Sequence, residues 1–122
     1  MPYTIGEVAR MMNIAPSTLR YYEKEGLLSL GVRASNGQRT YTDDDIATLS
    51  IIEYLKFCGL PLKEIRSFLP LIRPGGETLS ARRDILAKER DNVRAQIAVL
   101  QTKLERLEFG CWFYEIGTQY GA

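Results

Sequence analysis

Pro16-Ser17-Thr18-Leu19-Arg20-Tyr21-Tyr22-Glu23-Lys24-Glu25-Gly26 reads as a short helix with both of its ends specified. Proline suits the first helical position, where the missing N–H costs nothing. Glycine just past Glu25 suits the left-handed residue that closes a helix. Immediately upstream, Thr4 with Glu7 three residues on forms a capping box, and Ile5, Val8, Ala9 and Met12 repeat at helical spacing. These signals predict a first helix from about Thr4 to Met12. Asn13-Ile14-Ala15 is a break too short for anything but a tight turn, so the pair reads as a helix-turn-helix.

Working outward, Val32-Arg33 and Arg39-Thr40-Tyr41 flank Ser35-Asn36-Gly37 and predict two short strands around an Asn-Gly turn. Thr42 with Asp45 caps a third helix to about Phe57, with Ile46, Leu49, Ile52 and Leu55 inward and Glu53 and Lys56 on a more polar side. Gly59 ends it. Pro61 starts a fourth helix to about Ile72, which Pro70 kinks or ends. Arg73-Pro74-Gly75-Gly76 reads as a linker, and Thr78 opens a long helix to about Phe109. Alternate steps of four and three from Leu79 reach Arg83, Leu86, Arg90, Val93, Ile97, Leu100, Leu104 and Leu107; seven of these nine are apolar. Such a stripe is a coiled-coil seam, and it needs a partner to cover it. A second copy of the chain fits best, with Leu86, Val93, Ile97, Leu100, Leu104 and Leu107 as the dimerisation residues. The expected fold is mainly α: a winged helix-turn-helix head over 1–73, a linker and dimerisation helix over 74–109, and a short aromatic tail over 110–122.

Composition excludes more than it selects. Of 122 residues, 45% are hydrophobic and 25% charged, which is globular rather than disordered. The net charge of +1 points to no partner, but residues 1–42 hold five basic residues against three acidic, and Asp43-Asp44-Asp45 sits at a predicted helix start that its charge complements. Two cysteines and no histidine leave no disulfide framework, no expected metal or cofactor site and no usual general base. No nucleophile–base pair or phosphate loop stands out, so an enzyme is not expected. No apolar run approaches a membrane span and the start lacks a signal peptide, so a cytoplasmic protein without a membrane partner is expected.

A helix fits the major groove of double-stranded DNA and presents its outer side chains to bases and phosphates. Ser17 and Thr18 open the second helix, and Arg20 and Tyr21 follow one turn on. The hairpin adds Arg33, Asn36 and Arg39, suited to the phosphates that fix register. The competing reading is a coiled-coil adaptor whose winged head binds protein.

Thr4-Ile5-Gly6-Glu7-Val8-Ala9, Leu19-Arg20-Tyr21-Tyr22-Glu23 with Gly26-Leu27-Leu28, and Asn36-Gly37-Gln38-Arg39-Thr40-Tyr41 together resemble the signature segments of the MerR family of bacterial regulators. The resemblance covers residues 3–72 closely and agrees with the long helix that follows. It implies a homodimer held by an antiparallel coiled coil on a near-palindromic promoter site. There an effector-bound dimer bends and untwists the spacer so that RNA polymerase engages both promoter elements. The positions it implies as DNA contacts are Ser17, Arg20, Tyr21, Arg33, Asn36, Arg39 and Lys56, the last from a second wing. Gln38 stands where the family usually has an aromatic residue; its amide can still hydrogen-bond a phosphate.

The effector is the least legible part. Metal sensors of the family use a cysteine at the start of the long helix, where this chain has Thr78-Leu79-Ser80. Cys58 reads either as a redox or electrophile sensor or, preferred, as a buried structural thiol; sensor cysteines of some short members lie nearer Tyr54. Trp112, Phe113 and Tyr114 read either as walls of a small-molecule pocket with Tyr120 or, preferred slightly, as a lock on the partner's head.

Overall fold

The computed structural model describes residues 2–28, 35–73 and 75–121. Their order is β1 (Tyr3–Thr4), α1 (Ile5–Met12), α2 (Pro16–Lys24), β2 (Thr40–Tyr41), α3 (Asp43–Phe57), α4 (Leu62–Phe68), two 3₁₀ turns (Leu69–Leu71 and Gly75–Thr78) and α5 (Leu79–Tyr120). No helix among them is long and apolar enough to cross a membrane. They divide into two compact units, Met1–Ile85 and Leu86–Ala122.

In the first unit the helix ends sit where local chemistry directs. Thr4 accepts from the Glu7 N–H at 3.2 Å while the Glu7 carboxylate accepts from the Thr4 N–H at 2.9 Å, which closes the expected capping box. These two bonds hold the exposed Glu7 carboxyl below its ordinary range. Thr42 and Asp45 repeat the device at α3 at the same distances. Both α2 and α3 end in the same double-bonded closure. The Gly26 N–H donates to Glu23 and Leu27 to Tyr22; the Gly59 N–H donates to Lys56 and Leu60 to Leu55. Gly26 and Gly59 have φ of 77° and 97°, the left-handed region that a side chain disfavours. The turn between α1 and α2 rests on Asn13, whose φ of 54° and ψ of 48° make it left-handed too. Asparagine tolerates this conformation better than most residues, so the apparent gap in the pattern is the turn's working part. Thr42→Ala removes an N-cap and should lower stability by about 1 kcal/mol in urea unfolding; an unchanged midpoint would mean that Thr42 does not cap α3.

The core lies between the four short helices. Val8, Leu19, Leu49, Ile52 and Leu55 are fully buried, with Tyr41 at 1% exposure, and Leu27, Leu28, Leu60, Ile65 and Phe68 close around them. Pro70 ends α4 at Phe68 and leaves a 3₁₀ turn, because it has no N–H for the next helical bond. Arg66 ties α4 to the end of α2, its Nε donating to the Glu25 carbonyl at 3.1 Å and its guanidinium pairing with the Glu25 carboxylate.

Three features were not expected. First, β2 pairs antiparallel with β1, Tyr3 opposite Tyr41 and Thr4 opposite Thr40. The expected hairpin of Val32-Arg33 with Arg39-Thr40-Tyr41 falls on Val32 and Arg33, which lie outside the described residues. Of the Asn-Gly pair only Gly37 takes positive φ, at 83°. Asn36 Oδ1 instead accepts from the Gln38 N–H at 3.1 Å, a side-chain-closed turn. Secondly, the expected linker is folded at Gly75–Thr78. The Thr78 hydroxyl donates to the carbonyls of Leu71 and Gly75, and Arg82 donates to Gly75. The first compact unit runs to Ile85.

Thirdly, the long helix continues to Tyr120, so residues 110–120 are no separate tail. Gly110 and Gly117 do not stop it, because a glycine that closes a helix takes positive φ and neither residue adopts one. An interior glycine costs only about 1 kcal/mol. In the second unit, Ile97, Leu100, Leu104 and Leu107 are all more than half exposed.

Candidate nucleic-acid interface

Helix α2 sorts its residues by face. Leu19, Tyr22 and Glu23 are buried, which turns Ser17, Arg20, Tyr21 and Lys24 outward, at successive steps of three, one and three. The adjacent tyrosines thereby separate: Tyr22 is 3% exposed and belongs to the core, while Tyr21 is 48% exposed. Leu19 and Tyr22 hold α2 inward, as their spacing predicts.

Ser17, Thr18 and Tyr21 of α2 and Lys56 of α3 share the rim of one open concavity of about 470 Å³, floored by Leu27, Ile52, Leu60, Leu62 and Ile65. Lys56 is fixed there rather than free. Its Nζ donates to the Tyr22 hydroxyl at 3.3 Å and stands 5.7 Å from the centre of that ring, while Tyr22 donates to Glu53 Oε1 at 3.2 Å. The hydrogen bond from Lys56 to Tyr22 raises the lysine pKa, the largest influence on it. Burial raises that of the Tyr22 hydroxyl, opposed by the hydrogen bond from Lys56. At neutral pH the pair is an ammonium beside a neutral phenol, a cation held on a rim with further N–H donors to offer. An ammonium so placed suits a phosphate oxygen.

Arg20 and Lys24 line a second concavity of about 400 Å³ with Ile5, Glu23, Arg39 and Tyr41. Asn36 and Gln38 are exposed and bonded to one another, with Asn36 Nδ2 donating to Gln38 Oε1 at 3.5 Å. Arg39 is paired with the buried Glu23 carboxylate. Arg33 lies outside the described residues. The structure thus assembles Ser17, Thr18, Tyr21 and Lys56 on one rim and Arg20 and Arg39 on another. Two participants went unread in the sequence. Tyr22, three residues from Leu19, reads from its spacing as packing alone, although Glu53 and Lys56 at a helical spacing of three form a pair that can clasp a hydroxyl. Glu23 stood in the sequence only as part of a signature segment, since a carboxylate two residues before a helix end reads as surface.

Among the described residues no three metal-ligating side chains cluster. Cys58 caps the C-terminus of α3 and is a free, half-buried thiol. Beside it Tyr54 and Phe57 are exposed, Phe57 at 92%. Trp112, Phe113 and Tyr114 are exposed on the last turns of α5. They belong to a run of rings in which Phe109 lies 5.7 Å from Trp112 and Phe113 lies 5.3 Å from Tyr114.

Residues 3–71 match the family model described as MerR HTH family regulatory protein, and residues 46–108 match that described as MerR, DNA binding. An uncharacterized HTH-type transcriptional regulator of Haemophilus influenzae is 36% identical over all of this chain and 90% of its own length. The HTH-type transcriptional regulator ZntR of Escherichia coli K12 is 36% identical over 89% of this chain and 80% of its own. Among solved structures, HiNmlR, described as a MerR family regulator lacking the sensor domain and bound to promoter DNA, superimposes with a TM-score of 0.69 at 36% identity. That match covers 100% of this chain and 97% of the other. These matches decide against the adaptor reading of the head.

Proposed function

The chain belongs to the MerR family of DNA-binding transcriptional regulators, and on that premise we propose that it acts as a homodimer which controls a promoter by deforming its DNA. The observation that carries the reading is the shared rim of Ser17, Thr18, Tyr21 and Lys56, with Arg20 on the same outward face of α2. In this reading α2 enters the major groove, and Arg20 reaches a base edge or a phosphate. Ser17, Thr18, Tyr21 and Lys56 hold the backbone, and Arg33, Asn36 and Gln38 extend the grip along the flanking phosphates. The seam from Leu86 to Leu107 joins two copies and spaces two such helices by about one turn of duplex, roughly 34 Å. A pair of heads at fixed spacing can store the cost of bending and untwisting the spacer, a few kcal/mol. RNA polymerase would then recognise the reshaped promoter. The effector would act at Cys58 if it is an electrophile or oxidant, or at Trp112, Phe113 and Tyr114 if it is a flat or cationic organic molecule.

The test is binding to the chain's own upstream DNA against random duplex across a salt series. Preference for an inverted repeat is expected, with affinity falling steeply as salt rises. Arg20→Ala should abolish measurable binding and leave the dimer intact. Lys56→Ala should weaken all sequences alike and reduce the salt slope by about one. Equal affinity for both DNAs would overturn the reading, and a Lys56→Ala slope equal to the wild type would remove Lys56 from the backbone contacts.

A further inference from the structure

Among the described residues, Glu23 is the one buried polar or charged residue, and its side chain is 2% exposed. Its partners come from the far side of the sequence. The Tyr41 hydroxyl donates to one carboxylate oxygen at 2.5 Å, and the Arg39 guanidinium pairs with the other. Tyr41 is 1% exposed, and burial raises the pKa of its hydroxyl, so it remains a donor well beyond neutral pH. Arg39 is about two-thirds buried at its side chain and turned toward the carboxylate.

We propose that Glu23 is a positioning residue for DNA binding, which fixes β2 and the turn of Asn36 to Gln38 against α2 by clamping Arg39 and Tyr41, and that Arg39 serves this inward clamp rather than a phosphate. The clamp joins the groove-facing helix to β2, and β2 continues directly from the turn that carries Asn36 and Gln38. Two interfaces that must meet one duplex at once are thus held by a single carboxylate. Burial makes the arrangement specific, because a carboxylate out of water is tolerated only where its charge and lone pairs are met. Arg39 meets that charge, so its own is neutralised within the protein and releases no counterion when DNA binds. This rests on the head being the DNA-binding surface, and wild-type binding in the same experiment tests that separately.

Arg39→Gln, Glu23→Gln and the double variant are compared with wild type by salt-dependent affinity, well below each protein's melting transition and on samples shown to be folded dimers. Each single variant should lose about tenfold or more in affinity, and Arg39→Gln should leave the salt slope unchanged. The double variant should bind better than the product of the single losses, because the two side chains act as one unit. Tyr41→Phe keeps the buried ring and loses only the hydroxyl, so it serves if Glu23→Gln does not fold; it should weaken binding severalfold at constant slope. A fall in slope of about 0.9 on Arg39→Gln would make Arg39 a phosphate contact and overturn the proposal. So would wild-type affinity in folded Glu23→Gln or Tyr41→Phe, since a role in stability alone lowers the melting temperature without touching binding. Failure of the wild type itself to bind would instead defeat the DNA-binding surface on which the proposal stands.

Discussion

Replacing Ile97 and Leu104 together by glutamate is expected to turn the protein into a folded monomer that has lost its operator. Both side chains stand on the seam, at 59% and 51% exposure in a single chain, and the seam continues through Leu100 and Leu107. Burying a leucine or isoleucine side chain contributes about 1.5–3 kcal/mol, so a seam of this length would hold two copies together firmly. Two glutamates would put charges where apolar knobs belong, and the partner's copies would place two more opposite. Each monomer keeps its head, because residues up to Ile85 form a unit of their own. It loses the second half-site, which then counts as a separate binding event, and affinity for an inverted repeat should fall by about a hundredfold or more. Light scattering would show the mass halve, and a gel shift would show the loss. A double variant that remained a dimer would move the interface to another face of α5. The same substitution distinguishes operator binding from weak, sequence-independent attachment, which a single head retains.

Leu55→Ala should cost the head about 3 kcal/mol, within the range for deleting a buried leucine side chain. Leu55 is fully buried on α3, and its carbonyl accepts the Leu60 N–H that closes the helix. Leu60 is buried as well, so the closure joins a hydrogen bond to an apolar contact. Small domains hold only about 5–15 kcal/mol in total, so this one change removes a large share. DNA binding should fade at temperatures where the wild type is intact, because Lys56 is the next residue along α3. Urea unfolding would report the shift in midpoint, and a loss under about 1 kcal/mol would mean that the site collapses around the smaller side chain.

Elements whose signals are local were legible in the sequence. Thr4 with Glu7, Thr42 with Asp45, Pro16, Gly26, Gly59 and Pro70 act on backbone groups within four residues, and each ends or starts a helix where its chemistry directs. The outward face of α2 was legible for the same reason, since a period of 3.6 residues separates Leu19 and Tyr22 from Arg20 and Tyr21. The last helix was expected to end near Phe109, and the backbone continued as helix through Gly110 to Tyr120. An internal glycine weakens a helix without ending it, and only positive φ, invisible in a sequence, tells the two cases apart.

The run from Pro16 to Gly26 determined by itself that a short capped helix follows a tight turn, and the heptads determined that the last helix seeks a partner. Both are statements about nearest neighbours along a chain, which periodicity and capping express directly. Tertiary structure alone decided that β2 pairs with β1, that Lys56 rests on Tyr22, and that Glu23 faces Arg39 and Tyr41. Those partners stand 16 to 38 residues apart, and whether a charged residue there is surface or clamp depends on which other element folds over it.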